Sequence, residues 1–115
     1  MKITMKLALQ LLLGATPALA QNAAHPGPGN GERLYRYWCA TCHGVGPGHP
    51  GTQALAKLYA GDIPDALELR TDLDPDAIRY FVRNGSSIMP FFRKTELTDA
   101  EITAITGWLT RNNPK

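Results

Sequence analysis

The residues with the most chemistry to offer stand close together, in Trp38-Cys39-Ala40-Thr41-Cys42-His43-Gly44. Two thiols two residues apart, followed at once by an imidazole, make the pattern of covalent c-type haem attachment. Each sulfur can add across one haem vinyl group to give a thioether, and two intervening residues let one turn of chain reach both vinyls. His43 then lies under the iron, where a ring nitrogen can serve as the proximal ligand. Other uses of a Cys-x-x-Cys pair fit less well. A redox-active pair belongs in a strand–helix context, and none is visible here. A zinc site needs four ligands, and beyond Cys39, Cys42 and His43 only His25 and His49 remain, at spacings that match no finger pattern. A small disulfide is the third alternative.

Iron held on one side by His43 needs a ligand on the other. Met89 lies in Gly85-Ser86-Ser87-Ile88-Met89-Pro90-Phe91-Phe92, 46 residues after His43. A thioether is a soft ligand suited to haem iron, and Met/His ligation raises the potential. The alternative is a methionine that fills the core; a Gly-Ser loop ending in proline favours the ligand. His49 follows the attachment residues too closely to cross to the other haem face. Pro47 has no N–H but a free carbonyl, which at this point could accept the second ring N–H of His43 and fix the ring. The polypeptide offers no nucleophile–base pair or acid–base dyad.

The first twenty residues carry Lys2 and Lys6, an apolar run from Leu7 to Gly14, and the small-x-small site Ala18-Leu19-Ala20. This is the pattern of a secretory signal peptide, too short in its apolar part to span a bilayer. Cleavage after Ala20 is expected, leaving 95 of the 115 residues, no transmembrane segment, and Met89 as the sole methionine. Export matches haem attachment, which in bacteria takes place outside the cytoplasmic membrane, and places the protein in the periplasm. Loss of two lysines also removes the formal charge of +2, leaving ten basic against ten acidic residues. Nucleic-acid binding has no support in that balance. Ninety-five residues make one domain with a marginal core, to which a buried macrocycle would add apolar contact.

The elements that must position these residues follow from periodicity and capping. Gln21 to Asn30, rich in Pro, Gly and Asn, reads as a flexible leader, with His25 in it. Gly31 to Ala40 reads as a helix that buries Leu34, Tyr35 and Trp38 and runs into the cysteine motif; Arg33 and Arg36 lie off that stripe. Gly44 to Gly51 is a loop. Thr52 to Tyr59 reads as a short helix with Leu55, Leu58 and Tyr59 inward. Ala60 to Leu73 is irregular, with a helical turn within Pro64 to Leu69. Asp74 caps a helix that has Pro75 at its first position and ends at Gly85. Its apolar face is Ile78, Phe81 and Val82, with Arg79 and Arg83 together on one side. Thr98 and Glu101 form a capping box and Leu97 and Ile102 a hydrophobic staple. That last helix runs to about Arg111, with Ala104, Ile105, Trp108 and Leu109 inward. No strand-period alternation and no internal repeat is present.

Over Asn30 to Asn112 these residues resemble class I monohaem cytochrome c. The resemblance is carried by Gly31 and Tyr35, the run Cys39 to His43, Gly46-Pro47, Met89-Pro90 and Trp108. It implies an all-α fold of three main helices and short helical turns wrapped around one covalent haem, occupying residues 31–115. It implies that the first and last helices cross at Gly31, Tyr35 and Trp108, and that Pro47 supplies the carbonyl partner of His43. Val82-Arg83-Asn84-Gly85 with Met89-Pro90 and Phe92 is similar to the small cytochrome subunit of flavocytochromes of the p-cresol methylhydroxylase type. The implied function is one-electron transfer between a redox protein partner, such as a flavin or quinone dehydrogenase, and the respiratory chain. The exposed haem edge would be bordered by Ala40, Gly46, Pro47, Ile88, Pro90 and Phe91, with Phe92 inward. Two alternatives stay open: a haem protein with a vacant iron position acting as sensor or enzyme, and a structural haem subunit of a larger dehydrogenase.

Overall fold

The structure, a computed structural model, describes residues 29–115. The expected signal peptide, most of the leader and His25 lie outside the described residues. Five α-helices and two 3₁₀ turns follow one another: α1 (Gly31–Trp38), α2 (Ala40–His43), α3 (Pro50–Tyr59), a 3₁₀ turn at Leu67–Leu69, α4 (Pro75–Asn84), α5 (Asp99–Leu109) and a final 3₁₀ turn at Thr110–Asn112. Among the described residues there is no strand, only an isolated bridge between Ser86 and Met89. The fold is the small all-α arrangement that the sequence implies.

Local chemistry sets the helix ends. The Asn30 side chain accepts from the Arg33 N–H at 2.9 Å and starts α1; Asp74 accepts from Asp76 N–H at 2.8 Å and starts α4. At α5, Thr98 and Glu101 form the reciprocal capping box, and the staple residues Leu97 and Ile102 are both buried. Helix α3 begins two residues earlier than its apolar pattern suggests, because Pro50 sits at the first helical position, where its missing N–H costs nothing. The first helix breaks at Cys39 instead of running through Ala40. The Cys39 N–H still bonds the Tyr35 carbonyl at 2.8 Å, and α2 is a new turn whose last N–H groups bond back to the Cys39 and Ala40 carbonyls.

The core is the seam between α1 and α5, closed by α4. Leu34, Tyr35, Val82, Leu97, Ile102, Ile105 and Leu109 form one buried cluster. Gly31 permits the crossing: a methyl there would overlap the Ala104 carbonyl and stand 2.9 Å from Trp108 Cβ. Trp108 packs against Tyr35 with ring centroids 4.8 Å apart, and the Arg111 guanidinium lies over the Trp108 ring at 3.9 Å. The expected crossing at Gly31, Tyr35 and Trp108 is therefore present.

One expectation of the apolar pattern fails. The pattern predicts Leu58 and Phe81 inward, yet Leu58 is 72% exposed and Phe81 44% exposed. Neither has a protein wall in front of it, because both line a cavity instead.

Candidate haem site

Cys39, Cys42, His43 and Met89 all line one cavity of about 720 Å³, within the range of sites that enclose a ligand of several rings. The lining is predominantly apolar: Leu55, Leu58, Ile78, Phe81, Val82 and Ile88 are among its walls. Segments remote in sequence supply these four side chains. Helix α2 and its preceding cap bring the two sulfurs and the imidazole, and the turn after α4 brings the thioether.

Three side chains from neighbouring elements hold the carbonyls of the short helix α2, which cannot pair its own last carbonyls. Tyr35 Oη donates to the His43 carbonyl at 2.7 Å, and the buried Thr52 hydroxyl donates to the Gly44 carbonyl at 2.8 Å. His49 Nδ1 stands 3.0 Å from the Thr41 carbonyl. Burial of Tyr35 raises its pKa well above the ordinary tyrosine value, with a smaller contribution from the Glu68 charge, so its hydroxyl remains a donor. His49 is spent on this contact and does not line the cavity.

Burial, and then the neighbouring Cys42, push the Cys39 thiol up to about 12, and the two cysteines are not bonded to each other. A thiol held protonated is a poor redox nucleophile and a poor zinc ligand. Burial also lowers the His43 pKa, which keeps the imidazole neutral with a lone pair to donate.

His43 Nδ1 is buried without a hydrogen-bond partner. The bond expected from the Pro47 carbonyl is thus not made. Pro47 is exposed, in a loop that turns through left-handed conformations at Gly46 (φ 93°) and Gly48 (φ 89°), and it does not line the cavity. Nδ1 instead lies against Gly51, where an added Cβ would be 2.9 Å away.

Met89 is held by a tight turn. Ser86 and Met89 exchange both backbone hydrogen bonds, at 3.1 and 2.9 Å. Gly85 opens the turn at φ 70°, ψ 177°, a region open essentially to glycine, and a methyl there would stand 2.7 Å from the Met89 carbonyl. Ser87 takes a positive φ of 53°. Beyond the turn, Phe92 packs edge-on to Trp38 with centroids 5.6 Å apart. Phe91 points the other way and is 61% exposed.

A cavity whose walls are apolar, with two thiols, a neutral imidazole and a thioether on it, fits haem c. The family whose description reads cytochrome c oxidase, cbb3-type, subunit III matches residues 27–109. The chain belongs to this family of cytochrome c domains. Cytochrome c-552 of Bradyrhizobium diazoefficiens is 30% identical over 105 residues, 90% of this chain and 89% of the relative. No solved structure matches. A cytochrome c domain is a haem-based electron carrier, not a catalyst of its own reaction, and it works with a redox partner.

In this cytochrome the cavity lining also holds a charged residue that no sequence pattern marks, Arg70. Arg70 is buried, forks onto Asp72 at 2.8 and 2.7 Å, and lies 4.8 Å above the Tyr59 ring. It follows a 3₁₀ turn in the least patterned stretch of the chain. The two arginines of α4 are likewise engaged: Arg79 Nη1 donates to Thr103 Oγ1 at 3.1 Å and Arg83 to the Phe92 carbonyl and Asp99. Arg36 pairs with Glu32 and Glu68. No helix among the described residues is long and apolar enough to cross a membrane.

Proposed function

We propose that the protein is a periplasmic one-electron carrier, with a single haem c joined through Cys39 and Cys42 and ligated by His43 and Met89. The observation that supports this most directly is the convergence of these four side chains on one apolar cavity. When bound, haem c supplies reversible one-electron oxidation and reduction; the residues of this chain hold and tune it. Neutral His43, kept so by burial, and the neutral Met89 thioether bring no charge of their own, which favours the reduced state and a raised potential. The carbonyl holders Tyr35 and Thr52 and the turn at Gly85 fix both ligand-bearing segments in advance. Little has to move when the charge changes. The predominantly apolar lining would keep most water from the group.

The family's description refers to a respiratory oxidase and supports passing electrons toward the respiratory chain. The donor we propose is a periplasmic dehydrogenase of flavin or quinone type, docking where Phe91, Ile88 and Pro90 stand exposed beside the cavity. Exposed aromatic side chains are favoured in the cores of interfaces. The flavocytochrome resemblance would make a flavoprotein oxidising phenolic substrates one such donor.

Two measurements test the ligand set. Haem should stay with the polypeptide through denaturation and acid–organic extraction; its release would end the attachment reading. Met89→Ala should keep haem but lose the weak long-wavelength band of methionine-ligated ferric haem and lower the potential. An unchanged spectrum in that variant would show another ligand.

A further inference from the structure

The segment that carries Met89 is fixed at both ends, and one side chain ties the far end to two helices. Phe92 lies three residues after Met89. Its N–H donates to the Val82 carbonyl at 2.8 Å, and its carbonyl accepts from Arg83 Nη1 at 2.9 Å. The other arm of the same guanidinium, Nη2, donates to Asp99 Oδ1 at 2.6 Å. Asp99 is the first residue of α5 and is also paired with Lys94 at 2.9 Å. Arg83 therefore ties α4, the methionine segment and α5 together at one point. Its side chain is 21% exposed while that of Asp99 is 62% exposed, so the arginine is the packed partner. Spanning a carbonyl and a carboxylate at once is a property of the planar guanidinium fork, which a lysine cannot reproduce.

A thioether is a neutral ligand, and its hold on iron competes with the freedom of the segment that bears it. Each residue of that segment fixed in advance lowers the ordering cost of keeping the sulfur in place. We infer that Arg83 is a positioning residue for the Met89 thioether, holding the Phe92 carbonyl to α5 so that Met89 stays turned into the cavity. The inference rests on Met89 being an iron ligand.

The test uses ferric holoprotein titrated with imidazole, an external ligand that must displace the methionine, together with the midpoint potential. Arg83→Gln should bind imidazole about tenfold more tightly, the loss expected for a charge-assisted hydrogen bond, with weakening of the methionine band and a lower potential. Arg83→Lys and Asp99→Asn should fall between Arg83→Gln and wild type, and they carry the test if Arg83→Gln does not accumulate. Arg93→Gln, which loses only the exposed pairing with Glu96 on the same segment, should titrate as wild type. Arg83 variants with a lower melting temperature but wild-type imidazole affinity and potential would overturn the proposal. Met89→Ala sets the limit of easy access. If it binds imidazole no more tightly than wild type, methionine is not the displaced ligand, and the ligand reading falls together with the proposal.

Discussion

Tyr35 shows how much one hydroxyl can be asked to do. Its ring is in the core, against Trp108, while its oxygen reaches the carbonyl of His43, the proposed iron ligand. Tyr35→Phe keeps the ring and removes only that bond, leaving a part-buried carbonyl unpaired. A loss of ~1–3 kcal/mol is expected, read from chemical denaturation of the holoprotein; an unchanged stability would mean that water replaces the hydroxyl. Asp99 gives a prediction of pH dependence. Lys94, and then Arg83, hold its carboxyl below the usual carboxylate range. Its folded form binds a proton at lower pH than the unfolded chain does. The stability it contributes is therefore complete above the ordinary carboxylate value and is lost as pH falls through the depressed one. Melting temperature followed from neutral to acid pH should fall less steeply in Asp99→Asn than in wild type. At this scale Cys39, Cys42, His43 and Met89 stand out in the sequence by type and spacing, and the fold brings all four to one cavity. Arg70 and Arg83 were not legible. Their roles depend on which carbonyls and carboxylates the fold brings to them, and an arginine on a helix face reads the same whether solvated or clamped.

Among the elements, caps and turns were more readable than faces. Asp74-Pro75, Thr98 to Glu101 and Gly85 act through their immediate neighbours, so local sequence states their function. Leu58 and Phe81 misled because an apolar position predicts burial without saying what buries it, and here they line a cavity. The break at Cys39 was also hidden, since Ala40, Thr41 and Cys42 have ordinary helical propensities. The crossing of α1 and α5 yields two predictions. Trp108→Ala removes a ring that packs on both Tyr35 and Arg111 and should cost ~3–5 kcal/mol. Gly31→Ala pushes a methyl into the Ala104 carbonyl and should cost about 1–3 kcal/mol through overpacking. Thermal unfolding of both holoprotein variants checks them. A Gly31→Ala protein as stable as wild type would mean that the helices separate there without loss.

Across the whole molecule, the protein core and the cavity are the two halves of one interior. One side of the interior is the α1–α5 seam; the other is the cavity, onto which core residues such as Tyr35, Val82 and Ile105 also face. A chain of this size has little stability in reserve. Cys39→Ser/Cys42→Ser, made without attached haem, should therefore keep much of its helix signal in far-ultraviolet circular dichroism and lose the near-ultraviolet signal of fixed aromatic rings. A near-ultraviolet spectrum like that of the holoprotein would show that the polypeptide packs without the cofactor.

The α1–α5 seam has a further consequence, for the order of events in time. It joins segments separated by on the order of 70 residues, and contacts so distant in sequence are made only after the chain between them has been brought together. A polypeptide emerging from a ribosome or a translocation channel presents Cys39, Cys42 and His43 well before Trp108 exists to close over Tyr35. For that interval the turn proposed to take the haem stands open on a growing chain, and the last helix to be made is the one that closes over Tyr35 beside it.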